Sequence, residues 1–82
     1  MEMRLKRDYK IGTLLRFKWY DNWRDEFERP DKFRIIEGVV DSNTFMDEVI
    51  VYNGHEQRFY AVRNEHILKE FNYEATNQEK GI

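Results

Sequence analysis

Cysteine is absent from this chain of 82 residues, so its fold rests neither on disulfide bonds nor on a cysteine-ligated metal. No apolar run approaches the roughly 20 residues that a membrane-spanning helix requires. The N-terminal segment is charged rather than apolar, unlike a signal peptide. We therefore expect a cytoplasmic protein with no membrane partner, and the lack of cysteine fits a reducing compartment. Proline occurs once and glycine four times, and these few positions mark the breaks between elements.

Aromatic side chains supply the material for a small core. Six Phe, five Tyr and two Trp make up 16% of the chain, and hydrophobic residues make up 40%. Each buried aromatic side chain removes about 150–250 Å² from water, so a few of them dominate a core of this size. The length predicts one domain, residues 1–73, followed by a polar tail over residues 74–82 that we expect to be flexible.

Two segments show the alternation of strands that bury one face. In residues 10–20, one side of the strand carries the set Ile11, Thr13, Leu15, Phe17 and Trp19. Residues 33–41 form a second run, rich in Ile and Val, in which Gly38 predicts a bulge or a sharp bend. Gly12 predicts a bend near the start of the first run. Residues 41–44 have the composition of a turn.

The strongest local pattern is a hairpin around Asn53 and Gly54. An Asn-Gly pair between two β-prone runs is preferred in type I′ turns, because both central residues need a positive φ. With a loop of either two or four residues, one face of this hairpin collects Val49, Val51, Tyr60 and Val62. We expect that face to point into the core.

Two other segments are less regular. Residues 21–32 form a polar loop in which Asp21 or Asn22 caps a short helical turn, and Pro30 ends it. Residues 64–71 fit either a short helix or a 3-10 turn followed by a last strand over residues 68–71. Four or five short strands in so short a chain predict an all-β fold, curled into a small barrel because closure removes exposed sheet edges.

The order and spacing of these pieces resemble an SH3-like small β-barrel of the prokaryotic type, loosely related to Tudor and KOW modules. The resemblance covers residues 9–71 and is carried by four segments: residues 9–17, 37–40, 49–54 and 60–67. It implies a five-stranded barrel with a long first loop at residues 21–32 and a short 3-10 turn before the last strand. Such barrels bind peptides, methylated side chains, nucleic acids or other domains, so the fold leaves function open.

Catalytic chemistry finds little support in the sequence. His55 and His66 lie eleven residues apart with no cysteine beside them, and their spacing matches no metal-ligand motif. Ser42 lies in a turn and lacks the pattern of a nucleophile elbow. The chain contains no glycine-rich phosphate loop. We therefore expect a non-enzymatic protein with no metal and no cofactor.

Loop 21–32 is the candidate binding surface. Two large aromatic residues in it lie outside the strand alternation, and tryptophan beside arginine is typical of interface hot spots. We predict that the protein recognises or regulates another protein through this loop and the adjacent strand, with contacts made by Tyr20, Trp23, Arg24, Phe27 and Arg29. The alternative is that Trp23 and Phe27 cap the open end of the barrel.

The uneven charge distribution supports a second function. Residues 1–20 carry six basic and two acidic residues, whereas residues 21–82 carry eight basic and fourteen acidic residues. Basic groups interleaved with aromatics hold phosphates and stack bases, which predicts nucleic-acid binding through Arg4, Lys6, Arg7, Lys10, Arg16 and Lys18. The net charge of −2 for the whole chain weighs against it. The acidic remainder suits a nucleic-acid mimic from a phage or mobile element, which would bind a host protein.

Overall fold

The computed structural model describes residues 8–44 and 46–71. Five strands, one helical turn and one 3-10 turn follow in chain order: β1 Leu14–Trp19, α1 Asp25–Glu28, β2 Arg34–Asn43, β3 Glu48–Asn53, β4 Arg58–Arg63, the 3-10 turn Asn64–His66 and β5 Ile67–Phe71. The mainly β class is confirmed, as are the 3-10 turn and the last strand. The predicted boundary at residue 73 and the predicted flexible tail, 74–82, lie outside the described residues.

The strands form one antiparallel sheet in the order β4-β3-β2-β1-β5. The predicted closure into a barrel is not complete, since β4 and β5 remain the two edges of this sheet. Strands lie about 4.8 Å apart, so a flat sheet would separate its edges by about 19 Å. Only the three residues of the 3-10 turn join β4 to β5, and such a turn rises about 2 Å per residue. The sheet must therefore curl strongly.

The core lies on the inner face of this curl. Its buried residues are Tyr9, Leu15, Phe17, Ile36, Val40, Val49, Val51, Tyr60 and Val62. The predicted core face of the hairpin is thus confirmed. Tyr60 links the aromatic residues of the core, because its ring packs edge-on against Phe17 at 5.6 Å and Trp19 at 4.7 Å between centroids. Each contact of this geometry stabilises the fold by about 0.5–1.5 kcal/mol beyond the burial of apolar area.

The first strand is shorter than predicted. It begins at Leu14, because Gly12 adopts φ +97° and forms the turn in which the Thr13 amide donates to the Lys10 carbonyl. The bend predicted at Gly12 is confirmed. Ile11 lies on the far side of that bend and is 67% exposed, so its assignment to the core face is wrong. Alternation continues only as far as the backbone stays extended.

The second strand is longer than predicted, and its irregularity lies elsewhere. The register shifts between Val40 and Ser42, not at Gly38. Residues 41–43, predicted as a turn, extend β2 and pair with β3. Asn43 stabilises this extension, because its side-chain amide exchanges two hydrogen bonds with the backbone of Tyr9, at 2.9 and 2.7 Å. Such a long-range partner leaves no local signal in the sequence.

The hairpin between β3 and β4 has a four-residue loop, with Asn53 opposite Arg58. The expected type I′ turn is wrong. Among the described residues, positive φ occurs at Gly12 and at Gln57, the last loop residue, and not at Gly54. The Asn53 side chain instead accepts a hydrogen bond from the Glu56 amide at 2.7 Å, which is an asparagine-initiated turn.

Candidate functional site

Loop 21–32 winds through one helical turn. The Asn22 side chain accepts a hydrogen bond from the Arg24 amide at 3.0 Å, and its carbonyl accepts one from the Asp25 amide at 2.9 Å. Asn22 thus starts the turn that leads into α1, but the N-cap of α1 is Arg24 and no side chain caps it, so the predicted capping by Asp21 or Asn22 is wrong. Helix α1 ends at Glu28, and Pro30 follows two residues later. Trp23 lies in the turn before α1, and Phe27 lies within α1, four residues later.

Both aromatic residues of the loop face solvent. Trp23 is 70% exposed and Phe27 is 69% exposed, so they do not cap the end of the curled sheet. The Arg24 guanidinium lies 5.6 Å from the centroid of the Trp23 ring, a cation–π distance. Arg29 is exposed as well. Four of the five predicted contact residues are therefore accessible on one loop.

Tyr20, the fifth predicted contact residue, is an anchor rather than an exposed contact. It is 9% exposed, and its hydroxyl donates a hydrogen bond to the Pro30 carbonyl at 2.7 Å. Its ring also packs against Phe33 and His66, at 5.9 and 5.7 Å between centroids. Tyr20 precedes loop 21–32 and bonds to Pro30 near the end of the loop, so it holds the two ends of the loop together.

A second anchor, which we call the Arg34 clasp, joins Asp21, Arg34, Glu56 and Tyr60. The Arg34 guanidinium donates two parallel hydrogen bonds to the Asp21 carboxylate, at 2.8 and 2.9 Å, and a third to Glu56 at 3.2 Å. The Tyr60 hydroxyl donates to Glu56 as well. Bidentate arginine–carboxylate pairs are the strongest of these contacts. The clasp ties the start of the loop to β2 and to the hairpin.

The clasp changes the proton affinity of its members. Hydrogen bonds from Arg34 lower the pKa of Asp21 below its ordinary value. The Tyr60 hydroxyl lowers the pKa of Glu56 in the same way, with Arg34 adding to it. Burial raises the pKa of Tyr60, and its hydrogen bond to Glu56 raises it further. At neutral pH the clasp is therefore fully charged on both carboxylates and neutral on the phenol.

A groove of about 300 Å³ runs between this loop and the far side of the sheet. We call it the loop groove. One wall comes from the end of β1 and the loop, and the other comes from β3, β4 and the 3-10 turn. Its lining consists of Trp19, Tyr20, Asp21, Trp23, Glu26, Glu48, Ala61, Arg63 and His66. Three aromatic residues and three carboxylates thus face one small space.

An ion-pair network closes one end of the loop groove. Arg63 bridges two carboxylates, with Glu26 at 3.2 Å and Glu65 at 2.8 Å. The His66 imidazole lies 3.2 Å from the other oxygen of Glu26. Ligand atoms of Glu26, Glu65 and His66 lie within 4.8 Å of one another, a spacing that could hold a cation. The Arg63 guanidinium already supplies that positive charge, so the network ties α1 to β4.

Several lining residues were not predicted from the sequence. The register of the hairpin places Glu48 opposite Arg63, and a four-residue loop would have revealed this pair. The contact between Glu26 and His66 spans 40 residues and depends on the curl of the sheet. His66 lies in the 3-10 turn, and His55 is exposed in the loop of the hairpin.

The basic surface lies partly outside the described residues, since Arg4, Lys6 and Arg7 precede residue 8. Lys10 is exposed. Arg16 forms an ion pair with Glu37 at 2.7 Å, and Lys18 lies 5.4 Å from the Phe33 ring centroid. The predicted set therefore does not gather into a single pocket among the described residues, and it is separate from the loop groove.

Comparisons with protein-family models, with curated proteins and with solved structures gave no significant match to this chain. Within the described part of the chain, the helical segments are too short and too polar to cross a membrane. The features of the chain that bear on function are the two exposed aromatic residues of the loop, the anchors that hold the loop and the loop groove beside it.

Proposed function

We propose that this chain is a non-catalytic binding module with an SH3-like barrel topology, which recognises another protein through loop 21–32 and the adjacent strand. The strand order, the long first loop and the 3-10 turn before β5 support the assignment of topology. The exposed side chains of the loop support protein recognition. The contact set is Trp23, Arg24, Phe27 and Arg29, with Tyr20 as the support beneath it.

The observation that carries this proposal is the exposure of Trp23 and Phe27 on a loop that is held in place. An unrestrained loop would fold such side chains against the core or leave them disordered. Here the Arg34 clasp, the bond from Tyr20 to Pro30 and the Arg63 bridge to Glu26 fix the loop at both ends and in its middle. Binding through a preorganised surface costs less conformational entropy. Tryptophan and arginine are the residues most enriched in hot spots.

The experiment uses the tagged full chain to capture its partner from the native cell extract. Trp23→Ala and Phe27→Ala should each abolish most of the capture and shift the melting temperature by only a few degrees. Phe59→Ala is the matched control, because Phe59 is 57% exposed on β4 and does not line the loop groove. Undiminished capture by both loop variants contradicts the proposal. A collapse of the melting temperature would assign the loop aromatics to stability instead.

Nucleic-acid binding is the second candidate, and one specific observation favours it. Arg16 and Lys69 are direct cross-strand partners on β1 and β5, and both lie over the Phe71 ring at 5.2 and 4.9 Å. Arg16 is paired with Glu37, so Lys69 is the group of this pair that would contact a phosphate. Phe71 would supply a surface for stacking a base.

A labelled single-stranded DNA or RNA oligonucleotide tests this second candidate by fluorescence anisotropy. Binding should weaken steeply as salt rises, since each neutralised phosphate releases counterions. Lys69→Ala should reduce the affinity and Lys32→Ala, an exposed lysine at the end of loop 21–32, should not. No binding at low salt would remove nucleic acid from consideration.

A further inference from the structure

We propose that the loop groove binds the side chain of a lysine or arginine presented by an extended segment of the partner protein. This inference rests on the proposed function and names the chemistry that the partner brings. It follows from the charges that line the groove, from its aromatic wall and from its size.

The charge of the groove selects a cation. Asp21, Glu26 and Glu48 line it, against Arg63 as the one arginine or lysine of the lining. Asp21 is held by Arg34, and Glu26 is held by Arg63. Within residues 8–44 and 46–71, Glu48 has no ion-pair partner, although Arg63 is its direct neighbour across the hairpin. Arg63 reaches away to the network at the end of the groove, and Glu48 is left to pair with a ligand.

The aromatic wall suits the same ligand. Indole and phenol rings attract cations at their faces, and the attraction grows when the cation leaves water. Trp19, Tyr20 and Trp23 line the groove together. The Arg24 guanidinium lies near the Trp23 ring in the protein itself, so this ring already binds a cation of the proposed type. A carboxylate or phosphate ligand would meet both the acidic lining and the negative ring faces.

The size of the groove suits one side chain of an extended segment. The volume of about 300 Å³ fits one long side chain with its flanking backbone, and not a folded domain.

The test titrates Nα-acetyl-lysine methylamide and Nα-acetyl-arginine methylamide, whose side chains keep their charge, into the full chain and follows tryptophan emission. Both tryptophans of the chain line the groove, so emission reports on it. We expect saturable binding in the millimolar range for both probes and none for N-acetyl-norleucine methylamide, which has the same apolar stem without charge. Glu48→Gln should weaken binding about three- to five-fold, as for a partly exposed ion pair. Glu28→Gln is the matched control, because Glu28 is exposed on α1 and does not line the groove.

Two results overturn the inference: equal binding of the norleucine probe, or unchanged affinity in Glu48→Gln. The proposed function is tested separately, by whether Trp23→Ala and Phe27→Ala lose capture of the partner. If these variants capture the partner normally while the lysine probe binds and Glu48→Gln weakens it, the groove is a cation site and the loop is not the protein-recognition surface. Loss of capture in Glu48→Gln together with weaker probe binding supports both.

Discussion

Replacing Gly38 by alanine tests whether the curl of the sheet depends on a close approach between β2 and β3. A Cβ at this position would lie 2.5 Å from Val51 Cγ1 and 2.6 Å from the Tyr52 carbonyl oxygen. The valine methyl can shift a little, but the carbonyl belongs to the paired strand and moves only if the ladder opens. Overpacking of this kind costs about 1–3 kcal/mol. We take about 2 kcal/mol as the expected loss for Gly38→Ala.

Thermal unfolding followed by circular dichroism measures this loss. For a domain of this size each kcal/mol lowers the melting temperature by about 4–8 °C, so Gly38→Ala should melt about 8–16 °C below the wild type. Gly54→Ala is the matched control, since the nearest atom to its added Cβ is Tyr52 Cε2 at 3.7 Å, an ordinary contact. A surface change of that kind stays within about 0.5 kcal/mol. Equal melting temperatures for the two variants would refute the reasoning.

Three further predictions concern stability. Asp21→Asn should reduce the loss of stability at acid pH, measured as the free energy of unfolding in urea. The pKa of Asp21 is lowered in the folded protein, so this carboxylate stabilises the fold at pH values above its ordinary pKa of about 4. That stabilisation is lost as the pH falls through the pKa of the folded state, and the asparagine variant lacks it. Leu15→Ala should cost about 2–5 kcal/mol in the same assay, whereas Leu68→Ala, at a half-exposed edge position, should cost under about 1 kcal/mol. Gln57→Gly should raise the melting temperature slightly, because Gln57 adopts φ 54° and glycine removes the strain of a left-handed backbone; an unchanged or lower value would contradict this.

The inner face of the sheet was predictable because strand alternation is local. Val49, Val51, Tyr60 and Val62 lie in the core as their period-two spacing requires. That result did not depend on the turn type, since loops of two and four residues give the same faces. The sequence therefore predicted which side of the hairpin is buried while it predicted the wrong turn.

The ends of the strands were not predictable, because long-range partners determine them. Asn43 has turn composition, yet its amide pairs with the backbone of Tyr9 and keeps β2 extended. Tyr20 looked like a surface aromatic by its position after β1, yet its hydroxyl reaches Pro30 beneath the loop. In both cases a contact across many residues overrides the local preference.

The loop groove exists because the sheet curls. Its walls come from β1 and β4, which are separated by two strands and would lie about 14 Å apart in a flat sheet. Arg63 on β4 nevertheless reaches Glu26 in α1, and His66 reaches the same carboxylate from the 3-10 turn. We expect the curl to depend on the close approach of β2 to β3 at Gly38. A substitution that opens this packing should therefore widen the groove and weaken cation binding even in molecules that remain folded, although Gly38 lines no part of the groove itself.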